Sequence, residues 1–199
     1  MNDVIKHYDI LIKEGNDPFY DEDELRLYMD KWDGDALIQA LCLDKSKTVL
    51  EIGVGTGRLA NRTAHNCSKL VGIDISPGTI EQAKSNLSIH NNIVLIHGDF
   101  QKYNFHEKFD VIYSSLTFMH FEDKQEVINK VASLLNDNGR FVLSIDKNQD
   151  TVIDAGFSKV KIYPDTPDKT RDFLEHSGLV VAKQIETEFA HIFVSQKSE

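Results

Sequence analysis

The chain has 199 residues, 41% hydrophobic and 27% charged, a mixture expected of one soluble globular domain spanning residues 1–199 or a domain with a small cap. Its formal charge of −10 and its lack of lysine or arginine runs argue against a nucleic acid partner, which needs clustered cations to meet phosphates. Cys42 and Cys67 form no CxxC pair and no membrane-length apolar run is present, so a cytoplasmic protein with no metal, no membrane partner and no disulfide framework is expected.

Residues 1–46 read as helical, with Leu25, Tyr28, Met29 and Trp32 at i, i+3, i+4 and i+7; they would cap one edge of the sheet that follows. Residues 47–52 read as a buried strand running into three alternate glycines, Gly53, Gly55 and Gly57. Residues 58–66 carry Leu59, Ala60, Thr63 and Ala64 at helical spacing, and 69–73 form a second strand ending in Asp74. "SPGTIEQAKSNLSI" has a helix-start signature, Ser76 as N-cap and Pro77 in the first turn. Further strands are expected at 93–96, before Gly98 and Asp99, and at 109–114. The stripe Val127, Ile128, Val131, Ala132, Leu134 and Leu135 predicts a helix over 121–135, ended by "NDNG", and 140–145 is a fifth strand. A helix at 168–176 and an antiparallel pair at 179–185 and 189–196 complete the chain, with loops at 146–154 and 164–170. Strands alternating with helices of this length imply a mostly parallel sheet with helices on both faces.

In such a sheet ligands sit beyond the carboxyl ends of the strands, where the glycine loop lies. A phosphate-cradling loop needs a lysine after its last glycine, and Arg58 and Leu59 stand there instead. A dinucleotide fingerprint places its third glycine at residue 58, which is Arg58; here the glycine comes one position early. The remaining reading is an adenosine-bearing ligand without phosphates, whose amino-acid tail lies along the glycines and whose carboxylate suits a helix N-terminus.

The segment "EIGVGTG" resembles the first motif of the class I S-adenosylmethionine-dependent methyltransferases. "VGIDIS", "GDF" and "LLNDNGRFVLSID" resemble three further motifs in the same order, and the resemblance covers roughly residues 35–196. It implies a Rossmann-like sheet of seven strands with a C-terminal antiparallel hairpin, an N-terminal helical cap over 1–34, S-adenosylmethionine as donor and S-adenosylhomocysteine as product. It further implies that Gly53, Gly55 and Gly57 approach the methionine part and that Glu51 supports the loop or reaches the methionine amino group. Asp74 would take the ribose hydroxyls, Asp99 the adenine amino group, and Ile75 or Phe100 the adenine ring. Carbonyls at Ser114, Ser115 and Leu116 would face the donor.

The stretch after the fourth strand, "SSLTFMHF", lacks the (D/N/S)PP(Y/F) of amino-group methylases acting on bases and the Pro-Cys of cytosine-C5 enzymes. "TFMHF" resembles a region of small-molecule methyltransferases, with His120 as a candidate general base against the alternative of a packed histidine. Tyr8 and Tyr20 are the candidate pocket aromatics of the cap, Tyr20 with a catalytic role. Leu25, Met29 and Trp32 read as amphipathic core. The leading expectation is methyl transfer to a small molecule by a monomer or homodimer; the alternatives are a non-catalytic binder of the same donor and an NAD-dependent oxidoreductase.

Overall fold

Short apolar runs alternating with amphipathic segments produce alternating strands and helices in the computed structural model, which describes residues 2–197. The helices are α1 (Asn2–Lys13), α2 (Asp23–Met29), α3 (Gly34–Leu41), α4 (Arg58–Ala64), α5 (Pro77–Asn86), α6 (Lys124–Leu134) and α7 (Pro167–His176). The strands are β1 (Thr48–Ile52), β2 (Lys69–Asp74), β3 (Ile93–His97), β4 (Phe109–Ser115), β5 (Leu135–Asp146), β6 (Val152–Asp154), β7 (Lys159–Lys161), β8 (Leu179–Glu186) and β9 (Ala190–Lys197). Seven of them form one sheet in the order β3-β2-β1-β4-β5-β9-β8. Only β9 runs against the others, pairing antiparallel with both β5 and β8. The order reverses between β1 and β4, so the connections leaving their carboxyl ends part and open a crevice.

Both faces of this sheet are covered, which is why its central strands read as continuous apolar runs. Leu50, Ile52, Ile112, Phe141 and Leu143 face α6 and α7. Val49, Leu70, Val111, Tyr113 and Val142 face α3, α4 and α5. Because side chains alternate along a strand, Glu51 shares the second face with Tyr113, its register partner on β4. Ser76 caps α5, its Oγ accepting from Thr79 N at 3.0 Å, with Pro77 at the first helical position.

The structure departs from the sequence pattern in three places. The residues "NDNG" lie inside β5, which begins at Leu135 directly after α6; Asn138 takes a left-handed φ of 61° within that irregular stretch. Residues 146–154 and 164–170 are not plain loops: β6 pairs with β7 as a separate hairpin, and α7 starts at Pro167. Three-residue strands carry too little alternation to be read, and this hairpin is fixed by Val160 and Ile162 packing on Val4 of α1. The N-terminal segment caps the carboxyl ends of the strands rather than one sheet edge. There Asp9 Oδ1 accepts from Ser76 Oγ at 2.7 Å and from Gly78 N at 3.0 Å, tying α1 to the start of α5. The stripe through Leu25, Tyr28 and Met29 makes no core either, since no residue of α2 is buried.

Candidate active site

β1 ends at Ile52 and the chain turns through glycines in left-handed conformations, φ 77° at Gly53, 55° at Gly55 and 99° at Gly57. A Cβ at Gly53 would lie 2.0 Å from Thr117 Oγ1, and one at Gly57 would lie 2.7 Å from the Leu87 side chain. Those two glycines therefore let other parts of the protein close in. A Cβ at Gly55 would meet nothing within 4 Å, so this backbone faces open space. Gly55 N donates to Asp74 Oδ2 at 3.0 Å and Ser76 N to Oδ1 at 2.9 Å, fixing the carboxylate at the end of β2 against the loop. Burial nevertheless raises the Asp74 pKa, the backbone donors only partly offsetting it.

A cavity of about 410 Å³ opens here. Its floor is Glu51, Gly53, Gly55, Thr56 and Asp74; one wall is Ser115, Leu116, Thr117, Met119 and His120; the opposite wall comes from the N-terminal segment, including Tyr8, Asp21, Leu25 and Met29. Thr56 Oγ1 is buried in it with no protein partner. Leu116, just past β4, has a φ of 53°, an uncommon conformation for a leucine and a mark of a constrained wall. A second cavity of about 60 Å³ lies beside it, lined by Val4, Ile75, Gly98, Asp99, Phe100 and His120. It is small beside the main cavity and is bordered by Val4 of α1.

The carboxyl of Glu51 accepts from Tyr113 Oη at 2.6 Å and is 3% exposed. Burial pushes its pKa up to about 8, so the group is protonated at neutral pH; the Tyr113 hydrogen bond and Arg58 pull weakly the other way. Arg58 sits at the first position of α4, where the helix dipole disfavours a cation. It is held by Asp33, fully buried, whose Oδ2 lies 2.5 Å from a guanidinium nitrogen and also accepts from Ser115 Oγ at 2.8 Å. Arg62 pairs with Asp30 at 3.1 Å and Asp35 at 2.5 Å. These pairs lock the stretch before α3 to α4. Sequence reading missed Asp33, although a base opening a helix was a signal that an acid must lie close.

His120 Nε2 and Tyr8 Oη share a hydrogen bond at 2.9 Å, while Nδ1 is buried without a partner. Burial lowers the imidazole pKa to about 4, so the ring is neutral at pH 7. Ser115 lies in the cavity wall, Gly57 does not, and Phe100 is buried among Phe105 and Phe121 and lines the smaller cavity. Asp99 Oδ2 has no hydrogen-bond donor, only Lys102 at 3.4 Å. Tyr20 is 68% exposed, packs on Phe19, and lines neither cavity. Leu25 and Met29, expected in the core, line the larger cavity instead.

A family model described as a methyltransferase domain matches residues 43–189. The chain belongs to that family. Its motif order makes it a class I member, and S-adenosylmethionine is the donor of that class. The malonyl-[acyl-carrier protein] O-methyltransferase 1 of Ilyobacter polytropus is 34% identical over 107 residues, 53% of this chain and 40% of that protein. An uncharacterized methyltransferase of Anoxybacillus flavithermus is 35% identical over 121 residues, 59% of this chain and 56% of that one. The chain thus spans about half the length of these curated relatives. Among solved structures, magnesium protoporphyrin IX methyltransferase of Synechocystis PCC 6803 with bound SAM superposes with a TM-score of 0.77 at 18% identity, over 98% of this chain and 95% of that chain. The N-methyltransferase NodS of Bradyrhizobium japonicum WM9 gives 0.73 at 18%, over 99% and 100%. At such identities these likenesses establish the Rossmann-like fold.

The residues present fit that donor. Gly55 opens to the cavity, Thr56 Oγ1 and Asp99 Oδ2 are buried acceptors wanting donors, and Asp74 presents two oxygens between them. Among the described residues no helix is long and apolar enough to cross a membrane.

Proposed function

We propose that this chain transfers the methyl group of S-adenosylmethionine to a small-molecule acceptor, residues 1–199 acting as one domain with 1–34 as its cap. One observation carries the reading: the glycine floor, the wall after β4 and the cap line a single cavity, so donor and acceptor share one room. A non-catalytic binder is disfavoured because cap side chains border this space instead of filling it.

The donor supplies a sulfonium methyl, an electrophile that needs no metal or covalent nucleophile. Gly53, Gly55 and Thr56 hold the methionine part, Glu51 faces its ammonium, Asp74 takes the ribose hydroxyls, and Asp99, Ile75 and Phe100 take the adenine. Ser115 and Leu116 border the path of the methyl. The protein's contribution is alignment, worth about 7–11 kcal/mol in well-oriented systems. His120, neutral and hydrogen-bonded to Tyr8, orients the acceptor or takes its proton where the acceptor is acidic.

The relatives' printed substrates range from malonyl-[acyl-carrier protein] to a magnesium porphyrin, and none transfers by name alone. Thermal shift with S-adenosylhomocysteine against NAD tests the donor; stabilisation by NAD alone defeats the reading. Labelled methyl incorporation across an acceptor panel tests the activity.

A further inference from the structure

The reading above leaves the acceptor's chemistry open, and the cap defines it. In residues 1–35 eleven acidic residues stand against four basic ones, a net −7 of the chain's −10. Several of these acids are committed. Asp9 caps α5, Asp17 accepts from Asn86 at 3.0 Å, Asp30, Asp33 and Asp35 face Arg58 and Arg62, and Asp23 pairs with Arg26. Asp21, Glu22 and Glu24 have no ion-pair partner among the described residues, and Asp21 lines the cavity. The sole Lys or Arg in the lining is Arg58, already held by Asp33 and by Asp30 at 3.5 Å. An anionic acceptor therefore meets a single cation whose charge Asp33, Asp30 and Asp21 already offset, although its Nη1 makes no hydrogen bond.

The second observation is apolar. Leu25 and Met29, one turn apart on α2, line the cavity with Leu11, Pro18 and Met119. α2 has seven residues and buries none of them, with Leu25 49% and Leu27 68% exposed. So short a helix is marginal by itself in water, and an apolar body lodged under Leu25 and Met29 would give it something to pack on. The buried, unpartnered Thr56 Oγ1 in the same cavity belongs to the donor's end of it, which leaves the end under Leu25 and Met29 to the acceptor.

We propose that the acceptor is an amphipathic amine, its apolar body against Leu25 and Met29 and its nitrogen, protonated in solution, drawn in by Asp21 and the unpaired acids beside it. The proposal rests on the methyltransferase reading. Before transfer the ammonium gives one proton to water; Asp21 favours the charged form that is drawn in, and the apolar walls favour the neutral form that reacts. The nitrogen lone pair then forms the N–C bond to the methyl as the C–S bonding pair withdraws onto sulfur. The positive charge moves from sulfur to the N-methylammonium product.

The test uses matched probes on the full chain loaded with S-adenosylhomocysteine: octylamine against octanoate, and 2-phenylethylamine against 3-phenylpropanoate, by calorimetry. Each amine is expected to bind at least about tenfold tighter than its carboxylate. Asp21→Asn should cut that preference about threefold to tenfold and leave S-adenosylhomocysteine affinity in place. Carboxylates that bind equally or better overturn the proposal, as does saturation by neither series. So does an Asp21→Asn variant that loses donor-product affinity in step with amine affinity, since Asp21 would then serve the donor. Failure of S-adenosylhomocysteine to bind the unaltered chain is a separate result that sinks the donor reading.

Discussion

The sheet core and the N-terminal segment solve opposite problems. Around β1, β2 and β4 every apolar residue finds the core, and the polar ones are held by short bonds, as with Glu51 and Tyr113 or Gly55 and Asp74. The N-terminal segment buries few residues, holds most of the net charge, and reaches the core through a handful of polar joints. The core can recognise a donor with one fixed shape, whereas the segment is cheap to rearrange and suits a variable acceptor. The joints between them are where the two can be separated by experiment.

The largest effect is expected at Asp33. It is fully buried and serves Arg58, Ser115 and the start of α3 at once. Asp33→Ala strands the Arg58 charge, and removing one partner of a buried pair costs about 3–5 kcal/mol. Denaturant unfolding should show that loss, with weakened S-adenosylhomocysteine binding on the variants that still fold. A cost below about 1 kcal/mol would mean that the joint is solvent-screened and the segment only loosely attached.

Glu51 separates stability from donor binding inside the core itself. Its folded pKa, about 8, lies above the unfolded carboxyl value, so folding favours the protonated form. The stabilisation is complete below the unfolded value and is lost as pH rises toward about 8. Glu51→Gln should flatten that decline and raise Tm at alkaline pH while weakening S-adenosylhomocysteine several-fold, because an amide cannot ionise to meet the ligand's ammonium. If donor binding ionises Glu51, calorimetry in buffers of different ionisation enthalpy should show a proton released by the native chain and none by the variant. A pH-independent Tm difference between the two would contradict the raised pKa.

Tyr8 tests the segment's hold on the small cavity. Tyr8→Phe removes the bond to His120, worth about 1 kcal/mol, and leaves the ring packing. Since Val4 of α1 borders the space that Asp99 lines, a looser α1 should speed S-adenosylhomocysteine release about fivefold, by stopped flow. An unchanged release rate would place the entry path elsewhere.

The same division governs what the sequence discloses. The glycine loop, Asp74, Asp99 and the hairpin of β8 and β9 are local patterns tied to period and turn chemistry, and each stands at the strand end or turn that its pattern marks. Asp33 and Arg58 are 25 residues apart in the chain and meet only through packing, so no window contains both. The β6–β7 hairpin exists because Val160 and Ile162 find Val4, more than 150 residues away. Leu25 and Met29 keep helical spacing whether a core or a ligand covers them, and spacing does not say which.

The smallest effect is expected at Tyr20, and it sharpens the contrast with Tyr8. Both aromatics belong to the same segment and read alike in the sequence, yet Tyr8 reaches His120 in the cavity while Tyr20 stands 68% exposed on a 3-10 turn against Phe19. Its ring loses little water-exposed area on folding, and surface substitutions of this kind change stability by about 0.5 kcal/mol or less. Tyr20→Ala should therefore leave Tm and S-adenosylhomocysteine affinity at the native values under conditions where Tyr8→Phe moves the release rate. A tenfold loss of methyl transfer in Tyr20→Ala would show that the turn Pro18–Tyr20 swings over the cavity during turnover, bringing a residue outside the site into contact with the acceptor.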